Sequence, residues 1–319
     1  MQSIIQQASR QYENSRFPKI SILIPVYNRE HLIEETLKSA LSQEYPNYEV
    51  VISDNCSTDG TLEKCIEIAA GNPKVTIIRL LKNEGPLLNW LSCANFATGI
   101  YFKVLFSDDV LLKDCLSTMA KYMNSDTGFV YSSCQIGKTI TDAKTFYQSK
   151  FNKYMSLKES SIPSWYMILK YSLRTELPVS PCAGMFHSKF FTNTLVNSMR
   201  NPASEHSYAT GAGPDLRLYL EALISYRRCQ KIEKPLVFFR DHADSFTMGA
   251  NSAKVMQAYE EEIIDFIKRR HSPYAELLGS MYILANTIRK GKTMIHSMIS
   301  KAKSLSKQGI NPFNQKQES

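Results

Sequence analysis

"ISILIPVYN" (residues 20–28) is a short apolar run broken by Pro25 and closed by polar residues. That is the pattern of a buried parallel strand running out into a loop. "REHLIEETLKSALSQ" (29–43) follows, with Leu32, Ile33, Thr36, Leu37, Ala40 and Leu41 on one helical face. The same alternation repeats downstream. "YEVVIS" (48–53) reads as a second strand, and "TDGTLEKCIEIAAG" (58–71) as a second helix closed by Gly71. "KVTIIRL" (74–80) is a third strand, and "PLLNWLSCANFATG" (86–99) a third helix with Pro86 near its start and Gly99 after its end. "IYFKVLF" (100–106) is a fourth strand that ends at two acids, Asp108 and Asp109. Strands alternating with helices of this length predict an α/β fold, a three-layer sandwich around a mostly parallel central sheet.

In open sheets of this kind ligands sit outside the carboxyl ends of the strands. Tyr27 and Asn28 follow the first strand, Asp54 and Asn55 the second, Asp108 and Asp109 the fourth. One acidic pair at a turn is ordinary, because Asp is a common turn residue. Three polar clusters at one edge of one sheet indicate a pocket. Two adjacent carboxylates repel, and each resists ionising unless a cation offsets the charge. Mg²⁺ and Mn²⁺ take hard oxygen ligands and bridge to substrate phosphates, so the pair is a candidate ligand set. No GxGxxG follows the first strand and no GxxxxGK[ST] occurs anywhere, which removes the main support for dinucleotide oxidoreductases and P-loop NTPases.

Beyond residue 115 the pattern loosens. "FVYSS" (129–133) and "CAGMFH" (182–187) are candidate strands, and "SWYMILKYSL" (164–173) a candidate helix. "PDLRLYLEALIS" (214–225) reads as a helix with an acid in its first turn, where the dipole favours it. "KPLVFFRDH" (234–242) is a last strand running into a polar loop, and three helical stretches follow from residue 252. The chain divides into a lead-in (1–19), a ligand-binding part (20–115), a more variable part (116–250) and a helical extension (251–319).

The 319 residues are 43% hydrophobic and 21% charged, as expected of a globular protein with a sizeable core. The net charge of +8 is unevenly placed: residues 1–266 carry 28 Lys and Arg against 28 Asp and Glu, residues 267–319 carry 10 against 2. A neutral main body argues against general nucleic-acid binding. Residues 281–308 mix Met, Ile and Leu with Lys and Arg at helical intervals. Such a helix either lies in an anionic membrane interface or packs on the body with a solvated basic face. "AELLGSMYILANTI" is too short and interrupted to span a bilayer. The first residues do not form a charged-then-apolar signal peptide. Seven cysteines, odd in number and without a CxxC pair, suit a reducing compartment rather than a disulfide framework or zinc site. The expected location is cytoplasmic, with the tail offering a peripheral contact to the inner face of the membrane.

The order "PVYN" (25–28), "DNCSTDGT" (54–61), "NEG" (83–85) and "DD" (108–109) resembles the nucleotide-sugar domain of family 2 glycosyltransferases with the GT-A fold. The resemblance is dense over residues 20–115. It implies a metal-dependent, inverting transfer from a nucleotide-diphosphate sugar, with UDP-sugars favoured, to a glycan or lipid-linked acceptor in cell-surface polysaccharide synthesis. By position, Tyr27 would line the nucleobase pocket, Asp54 would accept a hydrogen bond from the base, and Pro25 and Asn28 would belong to the nucleotide-sugar site. Asn83 would belong to the same nucleotide-sugar site, Asp108 would face the ribose or sugar, and Asp109 would ligate Mn²⁺ or Mg²⁺. Ser53 stands where many members carry an acid, which loosens the expectation of uracil. "GAGPDLRLYLEAL" (211–223) resembles the segment that holds the catalytic acid, here Asp215, with Glu205 in reserve; Asp215 is otherwise a helix-start acid. "FFRDHADSFT" (238–247) resembles a loop over the diphosphate, in which Arg240 would meet a phosphate and His242 would complete the metal site. Tyr27 could otherwise cap the core, Asp59 with Gly60 is a helix-start signal, and Trp165 and Tyr166 are either acceptor-stacking or core residues. The competing readings are a non-enzymatic nucleotide-sugar-binding protein and a sugar-phosphate nucleotidyltransferase; the latter normally needs a Gly-rich basic loop after the first strand, which "PVYNREH" lacks.

Overall fold

The computed structural model describes residues 16–139, 160–163, 180–203, 213–242 and 252–269. The candidate helix at 164–173, Trp165, Tyr166, Glu205 and the basic tail lie outside the described residues. Residues 20–115 fold as their periodicity predicts. Strand β1 (Ile20–Val26) leads to helix α1 (Ile33–Leu41), β2 (Tyr48–Asp54) to α2 (Thr61–Ala69), β3 (Val75–Arg79) to α3 (Pro86–Phe96), and then comes β4 (Tyr101–Val104). β1 pairs in parallel with both β2 and β4, and β2 with β3.

Alternation along the strands builds the two outer layers. Ile20, Ile22, Ile24, Val50, Ile52 and Tyr101 face α1, α2 and the short helix α4 (Cys115–Ala120). Leu23, Val51, Phe102 and Val104 face the opposite way, onto Leu87, Trp90 and Cys93 of α3. On that side α3 is joined by α5 (Ser188–Arg200), α6 (Pro214–Ser225) and α7 (Ser252–Arg269). The three-layer arrangement is the one expected.

The sheet itself is mixed rather than mostly parallel. After β5 (Val110–Leu111) come β6 (Thr127–Gly137), β7 (Ser160–Pro163), β8 (Gly184–His187) and β9 (Arg228–Arg240), in the spatial order β3-β2-β1-β4-β8-β6-β9-β5 with β7 also on β9. β8 runs antiparallel to β4 and β6, while β5 and β7 run antiparallel to β9. β6 and β9 are parallel, with register shifts where Ser133 meets Pro235. Proline has no N–H for the ladder, which accounts for an irregularity there. Because β8 reverses direction between β4 and β6, β9 points the same way as β1 to β4. The end of β9, with Arg240 and His242 just beyond it, therefore arrives at the edge where β1, β2 and β4 deliver their polar residues. Ligand-binding and variable parts thus share one sheet. The candidate strand at 182–187 begins two residues late, because Pro181–Ala183 is a 3-10 turn.

Candidate active site

β1 and β2 end side by side, with Val26 opposite Asp54. Beyond them Asn28 and Cys56 take left-handed backbone (φ 49 and 61), uncommon for residues with a side chain and concentrated at functional sites. Asn28 makes use of it: its Oδ1 accepts from the Thr58 N–H at 2.9 Å, and its own N–H donates to Ser57 Oγ at 3.0 Å. Tyr27 is 39% exposed, so it does not cap the core; its ring is available for stacking. Pro25 lies buried within β1 opposite Ser53 and shapes the strand beneath the pocket. Asp54 is fully buried, its side chain included, accepts from the Ser57 N–H, and has Arg79 Nε 3.8 Å from Oδ2. Asp59 accepts from the Thr61 N–H at the start of α2, the helix-start role anticipated for it.

Asn83 is held by Asn55, whose Nδ2 donates to Asn83 Oδ1 at 2.9 Å while its Oδ1 accepts from the Glu84 N–H. The loop then turns at Gly85, with φ 82, into Pro86 of α3. Only glycine adopts that backbone without strain, so the "NEG" spacing fixes where α3 begins.

Asp108 and Asp109 sit between β4 and β5. Asp108 is partly exposed and is bonded by His242 Nε2 at 3.1 Å; Arg29 Nε lies 3.8 Å from the same oxygen. Asp109 is buried behind it. The Arg240 N–H donates to its Oδ1 at 3.3 Å, and the Cys182 thiol donates to the carboxylate. Burial, and then the Asp108 charge, pushes the Asp109 carboxyl well above the ordinary carboxylate range. Beneath lies Lys103, fully buried in β4, its Nζ bonded to the Cys182 and Val104 carbonyls and close enough to favour the charged carboxylate.

The late loop brings His242 to the acidic pair, but to Asp108 rather than Asp109. Arg240 departs from expectation. Its guanidinium pairs with Glu35 of α1 and donates to the Asp108 and Lys138 carbonyls. With its charge met by Glu35, it braces the acidic turn rather than reaching for a phosphate. The guanidinium facing Asp108 is that of Arg29, which sequence reasoning missed; its buried Nε has no hydrogen-bond partner among the described residues. Its signal was its place immediately after "PVYN". Lys103 was missed too, although a lysine in an otherwise apolar strand marks it.

Asp215 stands in the first turn of α6, after Gly213 with φ 106. Its Oδ1 accepts from the Gly213 and Leu216 N–H groups, each at 2.7 Å, and its Oδ2 from the Tyr259 hydroxyl at 2.8 Å. Burial pushes its carboxyl up to about 7 against these bonds. The turn Pro181–Ala183 connects this carboxylate with the acidic pair: Cys182 bonds Asp109, and the Ser180 carbonyl accepts from Tyr219, one turn after Asp215. A carboxylic acid tuned near neutrality suits general-base chemistry.

Among the described residues no group of three His, Cys, Asp or Glu side chains closes around a metal ion. Asp108 and His242 meet at this edge, with Asp109 buried behind Asp108. A carboxylate with an imidazole, beside a second buried carboxylate, is a donor set for a hard divalent cation that takes its remaining ligands from water and substrate phosphates. None of the seven cysteines is in a disulfide. Among the described residues no helix is long and apolar enough to cross a membrane.

Several known proteins are similar to this chain. The abequosyltransferase RfbV of Salmonella typhimurium (strain LT2) is 26% identical over 299 residues, 89% of this chain and 84% of that protein. The GalNAc(5)-diNAcBac-PP-undecaprenol beta-1,3-glucosyltransferase of Campylobacter jejuni is 26% identical over 247 residues, 76% of this chain and 72% of its own. Among solved structures, S. aureus TarS 1–349 in complex with UDP-GlcNAc superposes with a TM-score of 0.60 at 18% identity, covering 83% of this chain and 70% of that one. The mannosyltransferase PcManGT from Pyrobaculum calidifontis, in complex with GDP-Man and Mn²⁺, gives 0.53 at 16%, covering 94% and 87%. These structures share the fold of this chain. The family model for glycosyl transferase family 2 matches residues 21–191, more than half of the sequence, and so the chain belongs to glycosyl transferase family 2 and is a glycosyltransferase.

Proposed function

We propose that this protein transfers a sugar, with inversion and with the help of a divalent metal, from a nucleotide-diphosphate sugar to a glycan or lipid-linked acceptor in cell-surface polysaccharide synthesis. The observation that carries the reading is the contact of His242 with Asp108, from distant parts of the chain and beside the buried Asp109, at the sheet edge where Asp54 and Tyr27 also lie. Tyr27 stacks on the nucleobase, and Asp54 accepts its N–H. Asp109 and His242 would hold Mn²⁺ or Mg²⁺, which when bound neutralises the departing diphosphate. Asp108 faces the ribose or sugar, and Arg29 offers a second positive charge to the phosphates.

Asp215 takes the proton of the acceptor hydroxyl as its oxygen attacks the anomeric carbon, and the bond from that carbon to the diphosphate oxygen breaks. Attack opposite the leaving group inverts the anomeric configuration, so no covalent sugar–enzyme intermediate is needed. The names of the relatives agree with such substrates: one is a glucosyltransferase on an undecaprenol-linked glycan, and two solved neighbours hold UDP-GlcNAc and GDP-Man. UDP is the favoured nucleotide. The basic tail, with 10 Lys and Arg against 2 acids in residues 267–319, would hold the enzyme peripherally at an anionic membrane, where a lipid-linked acceptor is found. A thermal-shift panel of UDP, GDP, CDP and TDP, each with Mn²⁺ and with EDTA, tests the donor. UDP with Mn²⁺ is expected to stabilise most; equal stabilisation in EDTA would remove the metal from the account.

A further inference from the structure

We propose that Tyr259, on the C-terminal helix α7, is a positioning residue for the Asp215 carboxylate, leaving one lone pair of Oδ2 for the incoming acceptor hydroxyl. The inference rests on the reading of Asp215 as the base. A carboxylate oxygen has two acceptor positions. Both positions of Oδ1 are filled, by the Gly213 and Leu216 N–H groups. One position of Oδ2 is filled by the Tyr259 hydroxyl at 2.8 Å. Among the described residues nothing fills the second position of Oδ2, and the direction of that site is set by where Tyr259 stands.

α7 is built to hold that position. Arg217, two residues after Asp215 and itself buried, pairs through Nε with Glu262, donates from Nη2 to Asp265 at 3.0 Å, and from Nη1 to the Asn201 carbonyl at 2.8 Å. Val255 and Ala258 are buried on the same helix, and Phe266 packs into the cluster of α3, α5 and α6. The ion pairs thus tie the helix carrying the base to the helix carrying the tyrosine. Tyr259 lies 68 residues beyond the end of the family-model match, so the shared motifs give no sign of it.

Other ionisable groups around this carboxylate are Tyr219 on α6 and Glu262 on α7, the latter paired with Arg217; Tyr131 of β6 and Cys182 stand beyond Tyr219. Glu262 disfavours the charged base, and the Tyr259 hydroxyl favours it. Removing the hydroxyl alone, by Tyr259→Phe, keeps the ring and its packing. A hydrogen bond to a charged group corresponds to about one to two pH units in the titration of that group.

The test follows the carboxyl carbon of Asp215 by NMR across pH 4–10 in the full chain, wild type and Tyr259→Phe. Donor turnover of both, and of Asp215→Asn, is measured on a Mn²⁺-supplemented panel of UDP-, GDP-, CDP- and TDP-sugars, by release of the nucleoside diphosphate. The expected result is an upward displacement of the Asp215 titration by about one to two pH units in Tyr259→Phe, with the acidic limb of turnover moving equally and donor affinity unchanged. A titration that stays in place overturns the proposal, whatever happens to melting temperature or rate. Near-normal turnover in Asp215→Asn overturns the base assignment itself; loss of turnover there with an unmoved titration in Tyr259→Phe overturns only the role of Tyr259. If Tyr259→Phe does not fold, Tyr259→His, which restores a donor, must place the titration near the wild-type value, and failure to do so counts against the proposal.

Discussion

Replacing Asp215 by Asn should make the protein more stable and much less active, and the stability gain should depend on pH. The folded state holds the Asp215 proton up to about pH 7, whereas an unfolded chain releases it near the ordinary value of 3.8. Between these values the folded protein binds more protons than the unfolded one, so wild-type stability falls as pH rises through that window. The gap corresponds to on the order of 4 kcal/mol at pH 8 and above, as an upper bound. Asn is neutral at every pH and avoids this cost. Its Oδ1 still accepts from the Gly213 and Leu216 N–H groups, and the Tyr259 hydroxyl can turn to accept from Nδ2. Urea unfolding of wild type and Asp215→Asn at pH 4, 6 and 8.5 should therefore show similar stabilities at pH 4 and a widening advantage for the variant above it. Turnover should fall by roughly two to four orders of magnitude, the usual worth of a general base. A stability difference that does not change with pH would refute the buried, proton-holding carboxyl. Turnover within a few-fold of wild type would refute its role as base.

Arg29→Ala should weaken nucleoside diphosphate binding by about tenfold through loss of one charge-assisted contact, read by calorimetry with Mn²⁺; unchanged affinity would return Arg29 to a purely structural pairing with Asp108. Removing residues 281–319 should reduce binding to anionic vesicles in a flotation assay, with the largest loss at low salt. Intact protein that ignores such vesicles at low ionic strength would end the membrane reading of the tail.

The part of the molecule legible in the sequence is the part built from local signals. Each βα unit from Ile20 to Val104 announces itself by a short apolar run, helical spacing and a start such as Pro86 or a stop such as Gly71, and its parallel partner follows from the connection. The polar residues after β1, β2 and β4 fall at one edge for the same reason. Long-range pairing was not legible. The reversal of β8 between β4 and β6, the two-residue strand Val110–Leu111 and the irregular β6–β9 register depend on partners far away in the chain. Arg240 illustrates the cost: its motif places it near the acidic pair, but its charge is met by Glu35, 205 residues earlier. His242 reached the acidic pair as expected, yet on Asp108. Lys103 and Tyr259 lie outside the shared motifs, and only packing shows that they touch the residues that matter.

The proposed function requires the acidic pair to hold a metal under the donor diphosphate. Calorimetry of UDP binding to wild type and Asp109→Asn, each in Mn²⁺ and in EDTA, tests it most directly. Wild type should bind at least tenfold more tightly with Mn²⁺ than with EDTA, about 1.4 kcal/mol or more, and Asp109→Asn should bind equally weakly in both, with its fold intact by circular dichroism. Undiminished Mn²⁺-dependent UDP binding by Asp109→Asn would contradict the assignment.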